Sequence, residues 1–390
     1  MTPRDITLAY IPLVDAAPLI VAKEMGFDRE EGLRFNLMRA TSWSEVRDML
    51  VFGHAEAAHL LSPLPVAMSL GLGGVARDIS ALMVLSLNGN VIGVSKDLAA
   101  RIEPLNLSFH DAHAVGQALV GHAAPTLRIG VPFPFSMHAE LLYYWLSASG
   151  LHAPQGIDIR TVPPPFMPEA LEAGEIDAFC VGEPWGSKIV ERGIGTLILP
   201  GAAIWNAAPE KVLAARTEWA EAQPGLASAL MRAVWKACRW LGASGIKTTG
   251  AELLSHKDYL DLPAEWIDRA LSGHFVISPA GDTREVPGFL EFFAGAATFP
   301  WRSQASWIAY QMAGRLGLDR SDAMRRAEGV FRSDLYRAHL ADIGAILPSA
   351  SSKIEGGLSD ETAVASVSGH LILGENRFFD GTVFDPAPKN

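Results

Sequence analysis

Long apolar runs and runs of basic residues are both missing from this 390-residue chain. No stretch reaches the ~18–20 consecutive apolar residues that a membrane-spanning helix needs, so no membrane span is expected. Lys and Arg number 32 against 43 Asp and Glu, for a formal net charge of −11. Nucleic-acid binders concentrate Lys and Arg on one face, so direct contact with nucleic acid is not expected either. An acidic protein can still take an anion, because a local site field outweighs net charge at short range. Only two cysteines occur, Cys180 and Cys238, and neither belongs to a C-x-x-C pair. They read as buried free thiols rather than as a disulfide framework or a zinc clasp.

Catalytic signatures are also absent. The chain contains no G-x-S-x-G, no H-E-x-x-H and no G-x-x-x-x-G-K-[ST], so it does not read as an enzyme. His54, His59, His110, His113 and His122 are scattered. Two of them, His110 and His113, share a helical spacing, but two ligands without a third do not make a zinc site. No cluster of carboxylates demands a metal, and no cofactor is expected. The first residues, Met1–Asp5, lead directly into the apolar segment Ile6–Ile11. They lack the basic, apolar and small-residue order of a secretory leader, which sets the expectation of a cytoplasmic protein.

What the chain does have is alternation. Apolar, strand-like segments at Ile6–Ile11, Leu33–Met38, Ala55–Leu60, Ile79–Leu87, Leu127–Val131, Ile157–Val162, Ile176–Gly182, Thr196–Pro200 and Val212–Ala215 alternate with helical patterns. The helical patterns include Leu19–Met25, Ser44–Phe52, Met137–Gly150, Pro168–Ala173 and Pro224–Leu241. This predicts an α/β protein with largely parallel sheet. The stretch from Leu98 to Thr126 is expected to be irregular, and the chain beyond Leu241 mostly helical up to a polar loop at Leu347–Glu361. Chain crossings near Val94 and Pro200 divide it into 1–94 as the first part of lobe 1, 95–199 as an inserted lobe 2, and 200–390 as the rest of lobe 1 with a C-terminal helical region. Two such lobes place a ligand site in the cleft between them.

Several runs carry a family likeness. They include Ser42-Trp-Ser-Glu-Val-Arg-Asp48, Ala58-His-Leu-Leu-Ser-Pro-Leu-Pro65, Leu87-Asn-Gly-Asn90, Val162-Pro-Pro-Pro165, Phe179-Cys-Val-Gly-Glu-Pro-Trp185, Pro209-Glu-Lys211 and Phe379-Asp-Gly-Thr-Val-Phe-Asp385. In this order the chain resembles the nitrate- and bicarbonate-binding proteins of ABC-type uptake systems, from residue 6 to its end. The resemblance implies a type II periplasmic-binding-protein-like clamp with nitrate or nitrite in its cleft. It carries the anion contacts onto Trp43, His138, Gly182 and Lys211, and onto Asn90 where relatives have the longer Gln.

The chemistry of these residues suits an anion. Lys211 offers a full charge with three donors, and the Trp43 indole N–H only donates. His138 stands near a helix start, where the dipole favours an anion. Gly182 lets a ligand approach the backbone. Glu183 is added as a carboxylate that orients Lys211 or His138. Each residue also has a plain structural reading: a surface lysine, a core tryptophan, a helix histidine, a turn glycine, a capping carboxylate.

With no leader expected, the likeness extends to the cytoplasmic nitrate/nitrite sensors of bacterial nitrate assimilation. Such a sensor closes on the anion and releases an RNA-binding antiterminator of the ANTAR type. The alternative is the extracytoplasmic binding component of a nitrate transporter.

Overall fold

The computed structural model describes residues 3–387 apart from 76, 123–125, 152–154 and 368. Two mixed sheets organise it. The first contains β1 (Arg4–Tyr10), β2 (Leu33–Arg39), β3 (Ala57–Leu61) and β4 (Ile79–Asn88). The second contains β5 (Asn90–Ser95), β6 (Leu127–Val131), β7 (Ile157–Thr161), β8 (Ala178–Gly182) and β9 (Gly195–Pro200). β10 (Pro209–Arg216) returns to the first sheet. The spatial orders are Leu290–Glu291, β4, β10, β3, β1, β2 and β7, β6, β8, β5, β9. β1 runs parallel to β2 and β3, and β6 parallel to β7 and β8. β10 is antiparallel to β3 and β4, and β5 is antiparallel to β8 and β9.

The strands nearest the centre of each sheet are buried without alternation. Every residue of β3, β8 and β10 is buried, as expected where helices cover both faces. The chain passes from one sheet to the other over Asn88 (φ 58°) and Gly89 (φ 96°). Both residue types tolerate the left-handed region. A Cβ on Gly89 would lie 2.7 Å from Leu290 Cδ1, so the turn also needs the missing side chain. The result is a two-lobed α/β clamp.

The stretch expected to be irregular holds two helices, Lys96–Ile102 and Ala112–His122. The second escaped the pattern because Gly116 interrupts its apolar face, while His113 and His122 lie on its exposed side. Gly116 is required there, since a Cβ would meet Trp145 Nε1 at 2.9 Å. Beyond Leu241 the chain is less helical than expected. The strand pair His274–Val276 with Thr283–Glu285 and the hairpin Thr362–Ser366 with Gly369–Leu373 are too short to announce themselves by periodicity. Among the described residues no helix is long and apolar enough to cross a membrane.

Candidate functional site

Neighbouring side chains on a strand point to opposite faces, yet Glu210 and Lys211 share one site. A register irregularity in the β10–β4 pairing falls at Lys211 and breaks the alternation, as bulges do next to functional sites. Lys211 Nζ thereby lies 2.9 Å from Glu210 Oε1 and 2.7 Å from Asp15 Oδ2. Asp15 belongs to the single 3-10 turn Val14–Ala16 after β1, and its Oδ1 lies 2.8 Å from His59 Nε2 of β3. Lys211 also stands 5.5 Å from the centroid of the Trp43 ring. Trp43 opens a helix whose start is fixed twice: the N-cap Ser42 accepts from Glu45 N, and the Glu45 carboxylate accepts from Thr41 N at 2.7 Å.

The second lobe closes the cluster from the other side. Ser136 caps the helix Met137–Ala148, accepting from Ala139 N. This leaves His138 in the first turn, with Nδ1 3.1 Å from Glu210 Oε1. Asn90, at the start of β5, donates to Glu210 Oε2 at 2.8 Å. Gly182 is the β8 partner of Asn90. A Cβ on Gly182 would lie 3.3 Å from Leu13 and 3.8 Å from Asp15 Oδ2. The lobes touch directly here: Val14 N donates to Glu183 O at 2.9 Å, and Trp185 Nε1 donates to Pro12 O at 3.2 Å.

Trp43, Asn90, His138, Gly182 and Lys211 are thus brought together, and the side chains among them are at most 1% exposed. Glu183 is placed on the seam but does not meet Lys211 or His138. Its carboxylate caps the helix Trp185–Glu191 by accepting from Ser187 N at 3.1 Å. Asp15, His59 and Glu210 belong to the cluster and were missed as site residues. Each had a signal, a lone polar residue inside an otherwise apolar run. Asp15 interrupts Ile11–Val21, His59 interrupts Ala57–Leu61, and Glu210–Lys211 open Pro209–Ala215.

Burial raises the pKa of the Asp15 carboxyl, but Lys211 and His59 overcome that and hold it well below the usual carboxylate range. Burial lowers that of Lys211, and the two carboxylates more than restore it. Glu210 is pushed up by burial, against the opposing pull of Lys211. Burial, then the charge of Lys211, pushes His138 well below its ordinary value; burial lowers His59 despite Asp15. Glu183 is raised to about 7 by burial. At neutral pH Lys211 is therefore an ammonium and both histidines are neutral. That ammonium occupies the place between Asp15 and Glu210 where a cation would sit. Among the described residues no group of three or more His, Cys, Asp or Glu could hold a metal.

Several polar atoms of the cluster make no hydrogen bond to protein: Trp43 Nε1, both ring nitrogens of His138, His59 Nδ1 and Asn90 Oδ1. Buried polar atoms are paired in the great majority of cases, so the unpaired Trp43 N–H and the single N–H of the neutral His138 ring, one from each lobe beside one ammonium, mark a place for a ligand with acceptor atoms.

Fold and site together define a two-lobed solute-binding clamp. The NMT1-like family model matches residues 1–255, and the chain belongs to that family. The nitrate/nitrite binding protein NrtA of Nostoc sp. PCC 7120 is 30% identical over 393 residues, covering 97% of this chain and 82% of its own. The crystal structure of the periplasmic nitrate-binding protein NrtA from Synechocystis PCC 6803 superposes with a TM-score of 0.84 at 27% identity, over 98% of this chain and 96% of that one. The nitrate import ATP-binding protein NrtC of Synechocystis sp. PCC 6803 is 33% identical over 315 residues. That match takes in 79% of this chain but only 46% of NrtC, so this chain corresponds to about half of that longer protein.

The expectation of a cytoplasmic protein is overturned by these relatives, since the superposing NrtA is a periplasmic protein. It rested on the first residues of the chain alone.

Proposed function

We propose that this chain is the extracytoplasmic binding component of an ABC-type uptake system and closes on nitrate or nitrite. The observation that carries the reading is the pair of unpartnered side chains, Trp43 Nε1 in one lobe and His138 Nε2 in the other, buried around the Lys211 ammonium. A planar monoanion with three acceptor oxygens fits a lysine and donors from several directions. A charge-assisted bond to Lys211 contributes roughly 1.5–3 kcal/mol. Because those donors come from both lobes, the ligand favours the state in which the lobes meet, by no more than its differential affinity for that state.

The names of the relatives support nitrate or nitrite as the ligand and a membrane transport assembly as the partner, rather than an RNA-binding antiterminator. Calorimetric titration with nitrate, nitrite, bicarbonate and sulfate tests the reading. Saturable 1:1 binding of nitrate or nitrite, with no heat from sulfate, is the expected result. Folded protein that takes up neither anion would remove it.

A further inference from the structure

The site already contains an anion of its own. Glu210 Oε1 is 2.9 Å from Lys211 Nζ and 3.1 Å from His138 Nδ1, and Oε2 accepts from Asn90 Nδ2 at 2.8 Å. The lysine and amide donors assigned above to the ligand are thus taken by a carboxylate, and the His138 ring stands beside it without a hydrogen bond of its own. The charge count sharpens the point. Lys211 faces two carboxylates, Asp15 and Glu210, while His59 and His138 are neutral. The cluster therefore carries one uncompensated negative charge before any ligand arrives, among side chains no more than 3% exposed. A monoanion added to it would leave two such charges in a dry seam, where unpaired charge is strongly disfavoured.

We propose that the anion enters together with one proton, which Glu210 takes from solvent as the ligand assumes its donors; this rests on the anion-binding reading above. One O–H bond forms on the carboxylate as the hydronium ion or buffer acid that supplies the proton loses one, no other covalent bond changes, and the total charge of the cluster is the same before and after binding. Every group facing Glu210 is consistent with that role. Asp15 from the 3-10 turn is held ionised by Lys211, His59 from β3 and His138 from its helix are neutral, and Asn90 from β5 does not titrate. Burial, then the nearby Glu210 charge, pushes the Cys180 thiol of β8 well above its ordinary value, so it stays protonated. Glu210 is the carboxylate that burial pushes toward accepting a proton. One proton offsets one charge, so the site selects monoanions, and a dianion such as sulfate stays uncompensated.

The test is calorimetry of the wild-type protein with sodium nitrate from about pH 6 to about pH 9, in buffers of differing ionisation heat. The dependence of the heat on buffer counts protons. The expected result is uptake approaching one proton per nitrate, with affinity falling about tenfold per pH unit on the alkaline side. Glu210→Gln is expected to bind nitrate without proton uptake and with a flat pH profile. Wild-type binding with no proton exchange across that range overturns the proposal, and so does a Glu210→Gln protein that keeps the slope. Folded wild-type protein giving no heat with nitrate at any pH overturns the anion-binding reading itself, a distinct outcome. Should Glu210→Gln fail to fold, the wild-type proton count decides alone.

Discussion

Two sets of contacts join the lobes along the same helix, Met137–Ala148, and they follow opposite rules. On one, the Glu140 carboxylate takes two bonds from Arg315, at 2.6 and 2.8 Å. The Arg315 guanidinium covers the Tyr143 ring at 4.2 Å, and Tyr144 donates to Asp380 at 2.8 Å. Arg315 lies on Arg302–Leu316, which packs on Pro63–Ser69 of the first lobe. Every charge there has its partner inside the protein. On the other set, His138 opens the same helix with both ring nitrogens unbonded, opposite the unbonded indole of Trp43. The saturated contact fixes where the helix lies; the unsaturated one leaves buried polar groups without a protein partner, which the proposed anion would fill. A protein that completed both would be a rigid body with nothing to bind.

Opening the saturated contact carries the largest expected effect. Arg315→Met leaves Glu140, which is fully buried, without its counter-charge. Removing one partner of a buried pair costs about 3–5 kcal/mol. The lower end is expected here, because Arg315 keeps 11% exposure. Urea unfolding should show that loss. A midpoint within experimental error of wild type would mean that this contact does not hold the lobes.

Glu183 sits between the two kinds. Ser187 N bonds one carboxylate oxygen, while Oε1 is without a partner. Burial raises its pKa from an ordinary 4.5 to about 7. Between those values the folded state holds a proton that the unfolded chain has released, so this group's contribution to stability falls as pH rises, and the loss is complete above about 7. At ~1.4 kcal/mol per pH unit the full effect is about 3 kcal/mol. Glu183→Gln removes it. Its melting temperature relative to wild type should rise from about pH 5 to about pH 8. A constant difference between the two proteins would refute the assignment.

Lys211→Met carries the comparison into function. The methionine keeps the length of the stem and deletes the charge that Asp15, Glu210 and the ligand would share. Nitrate affinity is expected to fall by about 1.5–3 kcal/mol, read as a shift in the calorimetric dissociation constant. Unchanged affinity would take Lys211 out of the site.

The fold was largely legible because its central strands are mostly apolar runs, broken only by a few polar residues and separated by helices, a pattern that burial on both faces imposes on a sequence. Leu127–Val131 and Pro224–Leu241 coincide with their expected bounds. Ala112–His122 did not show, because packing against Trp145 demanded a glycine where periodicity wanted a side chain. The residues that converge on the seam, Trp43, Asn90, His138, Gly182 and Lys211, were singled out by family likeness. The carboxylates between them were not, since nothing in the spacing of Asp15, Glu210 and Lys211 says that a turn and a strand irregularity converge on one ammonium. Glu183 shows the reverse error. Its neighbours in sequence suggested a role toward Lys211, and the start of a helix, where an acid caps free amides, claimed it instead.

Trp43→Phe makes the smallest change and separates binding from stability most cleanly. It deletes one N–H, keeps an aromatic ring beside Lys211, and removes a buried donor that has no protein acceptor. An unsatisfied donor is a liability to the unliganded fold, so without nitrate the variant should be as stable as wild type or more stable, by up to ~1 kcal/mol. With nitrate the order should reverse, since the lost hydrogen bond weakens binding by roughly 0.5–1.5 kcal/mol. Thermal melts with and without saturating nitrate would show the two curves crossing. A variant less stable in both conditions would mean that Trp43 is core packing and that its indole N–H is not there for a ligand.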